Sequence, residues 1–301
     1  MVRSGPRRRP ESREDRVFNA VNHVFLAVCA VLVLYPLVFV VSSSFSSPEA
    51  VMSGQVWLWP VKPSLAGYGL VFESKEIWLG YANTIFYTFF GTLINVVLTI
   101  MLAYPLSRRD FRGRNTIMFL VTFTMMFSGG IIPTFMLVRS LGILNTRWAM
   151  LLPNAITVWN VIITRTYFET NIPTELLESS QLDGCSNTKF VLSVVIPVSG
   201  AIVAVVTLFY AVMHWNTFFN ALIYLRDSRL YPLQIILRSI LLENQIDYTI
   251  ATNLEGEEAR QKIVALLKFA LIVVASVPVL VFYPFVQKYF VRGVLIGAIK
   301  G

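Results

Sequence analysis

Six apolar runs alternate along the chain with short segments where Arg, Glu, Asp, Pro and Gly concentrate. They cover about residues 21–43, 83–106, 117–138, 149–168, 190–213 and 263–290. Each approaches or exceeds the roughly 20 residues a helix needs to cross the hydrocarbon core of a bilayer. The period-2 alternation of a membrane β-barrel is absent from the pattern. It therefore predicts an all-α membrane protein with six transmembrane helices. The first run follows several arginines, as the core of a signal peptide would. It is too long for that role, Tyr35-Pro36 interrupts it, and no small-residue cleavage site follows, so it is read as a span.

Between the fourth and fifth runs lies a polar loop, 169–190, whose centre reads Ile172-Pro173-Thr174-Glu175-Leu176-Leu177-Glu178-Ser179-Ser180-Gln181-Leu182-Asp183-Gly184-Cys185-Ser186. Asn171 suits an N-cap, Pro173 fits the first turn, and Glu175 sits near the positive end of the helix dipole. Leu176, Leu177 and Ser180 share a mostly apolar face, while Glu175, Glu178 and Gln181 share a polar one by i, i+3 spacing. Leu182 falls on the polar side. Asp183-Gly184 ends the helix, and Ser186 caps a second helix leading into the fifth span.

Charge orients the chain. The net charge is +8, and the positive residues are unevenly placed. Arg3, Arg7, Arg8, Arg9, Arg13 and Arg16 precede the first run, and Arg108, Arg109, Arg112 and Arg114 fill one short loop. By the positive-inside rule the N- and C-termini and the 169–190 loop are cytoplasmic, placing 15 of the 25 Lys and Arg residues inside. The charge reports topology rather than nucleic-acid binding, for which no soluble basic domain exists. Residues 1–17 are expected to form a disordered basic cytoplasmic tail and 18–301 a six-helix transmembrane domain. Two longer outside segments are expected. The first, about 44–81, carries Trp57 and Trp59, which suit an interfacial belt or re-entrant piece; the second, about 214–262, holds Glu255, Glu257 and Glu258.

Composition agrees: 55% of residues are hydrophobic, 14% are charged, and the mean hydropathy is +0.64. Cys29 and Cys185 fall in a span and in the polar loop, where neither a disulfide nor a metal framework is expected. His23 and His214 have no ligand-type neighbours, so no metal site is expected. No catalytic set and no phosphate-binding loop occur, and the spans lack the acidic residue common in ion-coupled carriers. Asn95, Asn154, Asn160 and Tyr210 are polar within the membrane, and with Trp215 and Asn216 they either line a substrate path or bond helix to helix. Gly129-Gly130 is read as a packing point rather than a bend. Pro153, Pro197, Pro278 and Pro284 are expected kinks.

The 169–190 loop resembles the cytoplasmic coupling loop of ABC importer permeases. The resemblance rests on Pro173, on Glu178-Ser179-Ser180, on Asp183-Gly184 and on Pro197. Serines stand where alanines are usual in the family, and Cys185 replaces an alanine after the glycine; all are small enough for close packing. The alternative is a generic amphipathic loop. The resemblance implies a type I ABC importer permease fold in which Glu175, Glu178, Ser179, Ser180, Asp183 and Gly184 couple to an ATPase. The tail 289–301, with Gly297, Lys300 and Gly301, resembles that of maltose-importer-type sugar permeases and implies contact with the ATPase pair. Arg292 and Lys300 read equally well as membrane anchors. Tyr35-Pro36, the serines of 42–46 and His214-Trp215-Asn216 fit the same group, in its oligosaccharide and polysaccharide branch.

The implied partners are a second homologous permease, an ATPase dimer that binds the ATP, an extracytoplasmic solute-binding protein and membrane lipid, with no nucleic acid. The chain itself holds no cofactor and is no enzyme. The implied location is the cytoplasmic membrane of a prokaryote. The alternatives are an ABC permease for another solute and an ion-coupled secondary carrier.

Overall fold

The structure, a computed structural model, describes residues 12–243, 265, 267–281 and 284. The tail 1–11, the acidic cluster at 255–258, most of the ends of the expected sixth span and Arg292, Gly297, Lys300 and Gly301 lie outside the described residues. All regular structure among the described residues is helical. The chain divides into two compact units, whose described parts are 12–71 with 265 and 267–273, and 72–243 with 274–281 and 284.

In the first unit, α1 (Arg13–Ser44) starts within the expected tail, because Ser12 and Asp15 form a capping box. Each donates a backbone N–H to the other's side chain, at 3.2 and 3.1 Å. The helix continues through Pro36 without the expected interruption. No residue of its most apolar stretch is buried among the described residues, as suits lipid or a partner protein. Its C-terminal serines have a structural task. Ser42 Oγ donates to Leu58 O at 2.6 Å, Ser46 Oγ accepts from Val61 N at 3.0 Å, and the Ser44 and Tyr68 hydroxyls meet at 2.8 Å. These bonds hold the loop after α2 (Pro48–Met52) and the start of α3 (Ala66–Glu73) against the end of α1.

The second unit is built on α4 (Lys75–Ser107), whose 33 residues extend roughly 50 Å at 1.5 Å per residue. One stripe of α4 (Gly80, Thr84, Tyr87, Gly91, Asn95, Thr99, Ala103) recurs every three or four residues and is buried. Small and polar residues at that spacing let helices approach closely and hydrogen-bond, the dominant association device inside a bilayer. The stripe packs chiefly against α8 (Val158–Asn171) and α12 (Gly200–Trp215). A methyl group on Gly91 would land in the His214 ring of α12.

Three expected spans are broken. The third is a pair, α5 (Arg114–Met126) and α6 (Ile131–Ser140), bent by 114°. The bend sits at Gly129-Gly130, where Gly130 takes φ +82° and no neighbour among the described residues packs on it, so the expectation of a packing point is corrected. The fourth is split into α7 (Trp148–Leu151) and α8 by the non-helical segment 152–157, which contains Pro153. The fifth starts as α10 (Asn187–Phe190), passes through a π turn (Val191–Val195) and α11 (Ile196–Val198), and bends by 86° before α12. Pro197 supplies no N–H to the ladder, and the chain turns two residues later at Ser199. Among the described residues two helices are long and apolar enough to cross a membrane, or four if each bent pair counts as one.

Beyond α12 follow α13 (Phe219–Tyr224), a 3₁₀ turn (Ser228–Leu230) and α14 (Leu233–Arg238). This segment is sewn to the start of α4. Asn83 Nδ2 donates to Arg229 O and Tyr231 O at 2.8 and 3.1 Å, Tyr87 Oη to Leu230 O at 2.9 Å, and Leu233 N to Thr84 Oγ1 at 2.8 Å. Asp227 accepts from the backbone and guanidinium of Arg229, which holds its carboxyl below the usual carboxylate range. The last described helix, α15 (Leu267–Val281), includes Pro278 without a break.

A candidate coupling surface

The polar loop folds as α9 (Thr174–Leu182), two residues later than the expected cap at Asn171 implies. Pro173 takes the extended N-cap conformation, while Asn171 belongs to the end of α8 and bonds back to Tyr167 O at 3.0 Å. The proline prevents α8 from continuing, because its ring would clash with the preceding turn. The C-terminus is a Schellman motif. Cys185 N donates to Ser180 O at 2.9 Å, Gly184 N donates to Gln181 O at 3.0 Å, and Gly184 takes φ +72°. Ser186 Oγ then accepts from Lys189 N at 3.3 Å and caps α10, as its type and position predict.

One side chain anchors this helix. Leu177 is buried in the cluster of Ile100, Ala103, Leu106, Val161 and Phe168, with Ile172 and Phe190 on either side of the loop in the same core. The opposite face is open: Glu175, Glu178 and Ser179 are exposed, and Leu182 is 91% exposed. Spacing of i, i+3, i+4 and i+7 puts these four on one face. Ser179 and Ser180 turn their hydroxyls back to Leu176 O and Leu177 O, at 3.2 and 2.8 Å, so the outer surface near them is small and smooth. Leu182, the last residue of α9, breaks the amphipathic pattern by standing on this polar face.

A charged brace that sequence reasoning missed joins α8 to α4 and α5. Arg165 Nε donates to Leu106 O, the end of α4, at 2.9 Å, and its Nη2 pairs with Glu169 at 3.1 Å. Arg114 approaches the other Glu169 oxygen at 3.6 Å. The i, i+4 spacing of Arg165 and Glu169 was the available signal.

The expected path residues divide by exposure. Tyr210, Asn160 and Trp215 are buried, and Trp215 Nε1 donates to Ala275 O at 3.1 Å. Tyr210 Oη serves Thr157 N, Thr157 Oγ1 and Thr99 Oγ1 at 3.1, 3.2 and 2.7 Å. Asn154 and Asn216 are exposed. Asn154 O accepts from Asn95 Nδ2 at 2.9 Å, and Asn95 Oδ1 lies 3.4 Å from His214 Nε2. The open segment 152–157 thus borrows its hydrogen bonds from α4 and α12, the condition for irregular backbone at membrane depth. Cys29 and Cys185 are free thiols, and no group of metal-ligating side chains occurs among the described residues.

Sequence and fold both have near relatives. The chain is 39% identical to the polygalacturonan/rhamnogalacturonan transport system permease protein YtcP of Bacillus subtilis, over 96% of its own length and 100% of that protein's. It is 37% identical to the protein LplC of the same organism, over 96% and 97% of the two chains. A chain of a solved bacterial ABC transporter that imports the acidic polysaccharide alginate superposes with a TM-score of 0.87 at 36% identity, covering 94% of this chain and 99% of that one. No family model matches.

Proposed function

This chain belongs to the permease subunits of carbohydrate ABC importers, and we propose that it carries uronate-bearing oligosaccharide fragments inward across the cytoplasmic membrane. As a permease subunit it is an integral membrane protein and not the ATPase. The substrate class is supported by two relatives of polysaccharide systems, one for polygalacturonan and rhamnogalacturonan and one for the acidic polysaccharide alginate, polymers that all contain uronate residues.

In this reading six spans cross the membrane with both termini inside, and the path runs between this chain and a second, related permease. A solute-binding protein delivers substrate from outside, and an ATPase dimer binds ATP below. The open face of α9 docks on one ATPase: Glu178 and Glu175 meet basic groups, Leu182 enters an apolar recess, and Ser179 and Ser180 permit close approach. Asp183 and Gly184 fix the end of the helix, while Gly297, Lys300 and Gly301 reach the ATPase pair. Closure of the ATPases moves α9, and Leu177 passes that displacement to α4 and α8 through the core. Asn154 and Asn216 face the path, and Tyr210, Asn160 and Trp215 hold its wall. The observation that carries the reading is the exposed face of Glu175, Glu178, Ser179 and Leu182 on a helix anchored by Leu177 alone.

The test is uptake by the complete importer in proteoliposomes. ATP-dependent accumulation of oligogalacturonate in preference to a neutral oligosaccharide is expected, and Glu178→Ala abolishes it. Uptake independent of ATP would replace this reading with a secondary carrier, and preference for the neutral sugar would overturn the substrate class.

A further inference from the structure

Beside α9 lies a cavity of about 650 Å³ that the coupling role does not use. One part is apolar, formed by Val97, Ile100 and Met101 of α4 facing Val191, Leu192 and Ile196. Met101 and Leu192 are 65% and 63% exposed, so this part opens sideways toward whatever surrounds the helices. The other part is closed by the loop after α4, and its charged lining residues are Arg108, Asp110 and Arg112.

The cationic end is underused. The Arg108 side chain is only 12% exposed, yet its Nε is buried without a hydrogen-bond partner. Asp110 stands 3.6 Å from that atom, beyond a good hydrogen bond, and is itself 72% exposed. Leaving a guanidinium N–H desolvated and unmatched is costly, and a planar guanidinium is suited to a phosphate. A groove apolar along the span and cationic at its end matches an amphiphile with an anionic head and acyl tails.

We infer that this groove holds an anionic phospholipid of the cytoplasmic leaflet. Its phosphate sits at Arg108 and Arg112, and its acyl chains lie along Met101, Leu192 and Ile196. The inference rests on the orientation proposed above, which puts residues 108–114 at the cytoplasmic surface. Leu177 lines the same groove, so the bound lipid braces the one anchor of the coupling helix.

The experiment uses the complete importer carrying Met101→Trp, reconstituted in phosphatidylcholine containing increasing amounts of dibromo-phosphatidylglycerol or dibromo-phosphatidylcholine. Quenching of the added emission, relative to the importer without the new tryptophan, is read against mole fraction. Dibromo-phosphatidylglycerol is expected to reach half-maximal quenching at a several-fold lower fraction. Arg108→Gln with Arg112→Gln removes that preference, and Arg139→Gln keeps it. Equal curves for the two lipids in the parent protein would mean unselective boundary lipid and overturn the proposal. Absence of quenching by either would mean that protein fills the groove, and overturn it as well. The parent curves decide even if the double variant fails to assemble. Sugar uptake in the same vesicles is scored separately, so loss of the import reading is distinguishable from loss of the lipid site.

Discussion

Tyr210 on α12 places its hydroxyl 2.7 Å from that of Thr99 on α4, and the same oxygen accepts the backbone N–H of Thr157 at 3.1 Å. One phenol therefore joins two long helices to the end of the open segment between α7 and α8. Tyr210→Phe keeps the ring and removes the oxygen, which strands the Thr157 N–H and costs about 1–2 kcal/mol. The expected result is a lower melting temperature in detergent and faster amide exchange at residues 155–158, with the rest of α8 unchanged. Unaltered exchange at Thr157 would show that the segment is held by something else.

The α4 stripe makes a second prediction. A methyl group at position 91 would enter the His214 ring, and overpacking of a well-filled site costs about 1–3 kcal/mol. Gly91→Ala is therefore expected to lower the folded yield of the importer. Combining it with His214→Ala opens the space and recovers part of the loss, so the double variant is more stable than the sum of the singles predicts. Strict additivity, measured by thermal unfolding of all four proteins, would mean that the two residues do not meet.

How far this architecture was legible depends on whether the determinant was local. Helix α9 was nearly complete in the sequence, because Pro173, Gly184 and Ser186 act within a few residues of themselves. Only its first residue was misplaced, since Asn171 bonds back into α8 instead of capping forward. The apolar runs gave α1 and α4, and the expected kinks at Pro153 and Pro197 match the breaks at 152–157 and Ser199, whereas the bend at 127–130 was misjudged as packing. Hydropathy averages over such breaks, and hydrogen bonds that support the one at 152–157 come from Asn95 and Tyr210, far away in sequence. The small-residue stripe of α4 was visible in principle at Gly80, Thr84, Gly91 and Asn95. Leu182 was read on the polar side of the helix, and the structure leaves it 91% exposed there.

The docking face separates folding from assembly. Leu182 is 91% exposed, so Leu182→Asp leaves the fold of this chain without a lost contact. On the proposed docking it puts a charge where Leu182 would enter the ATPase, so recovery of the ATPase in a mild-detergent pull-down is expected to fall at least tenfold, about 1.4 kcal/mol or more. Glu178→Ala, by contrast, is expected to abolish transport while the protein remains in the membrane. Full ATPase recovery and full uptake in both variants would remove α9 from the coupling mechanism.

Arg165 allows the geometry of the charged brace to be tested apart from its charge. Its Nε donates to Leu106 O at the end of α4, while Nη2 pairs with Glu169. The side chains of Arg165 and Glu169 are 20% and 29% exposed, so solvent screens the pair only partly. Arg165→Lys preserves the charge, but one ammonium cannot reproduce the fork that reaches both partners. Loss of the Leu106 bond is expected to cost about 1 kcal/mol, and Arg165→Met, which also abandons Glu169, about 2 kcal/mol or more. The added loss in Arg165→Met should shrink as salt rises, whereas the loss shared by both variants should not, because it belongs to a hydrogen bond with a neutral carbonyl. Thermal unfolding at low and high ionic strength separates the two. If Arg165→Lys is as stable as the parent at every salt concentration, Arg165 acts as a charge alone and the tie to the end of α4 contributes nothing.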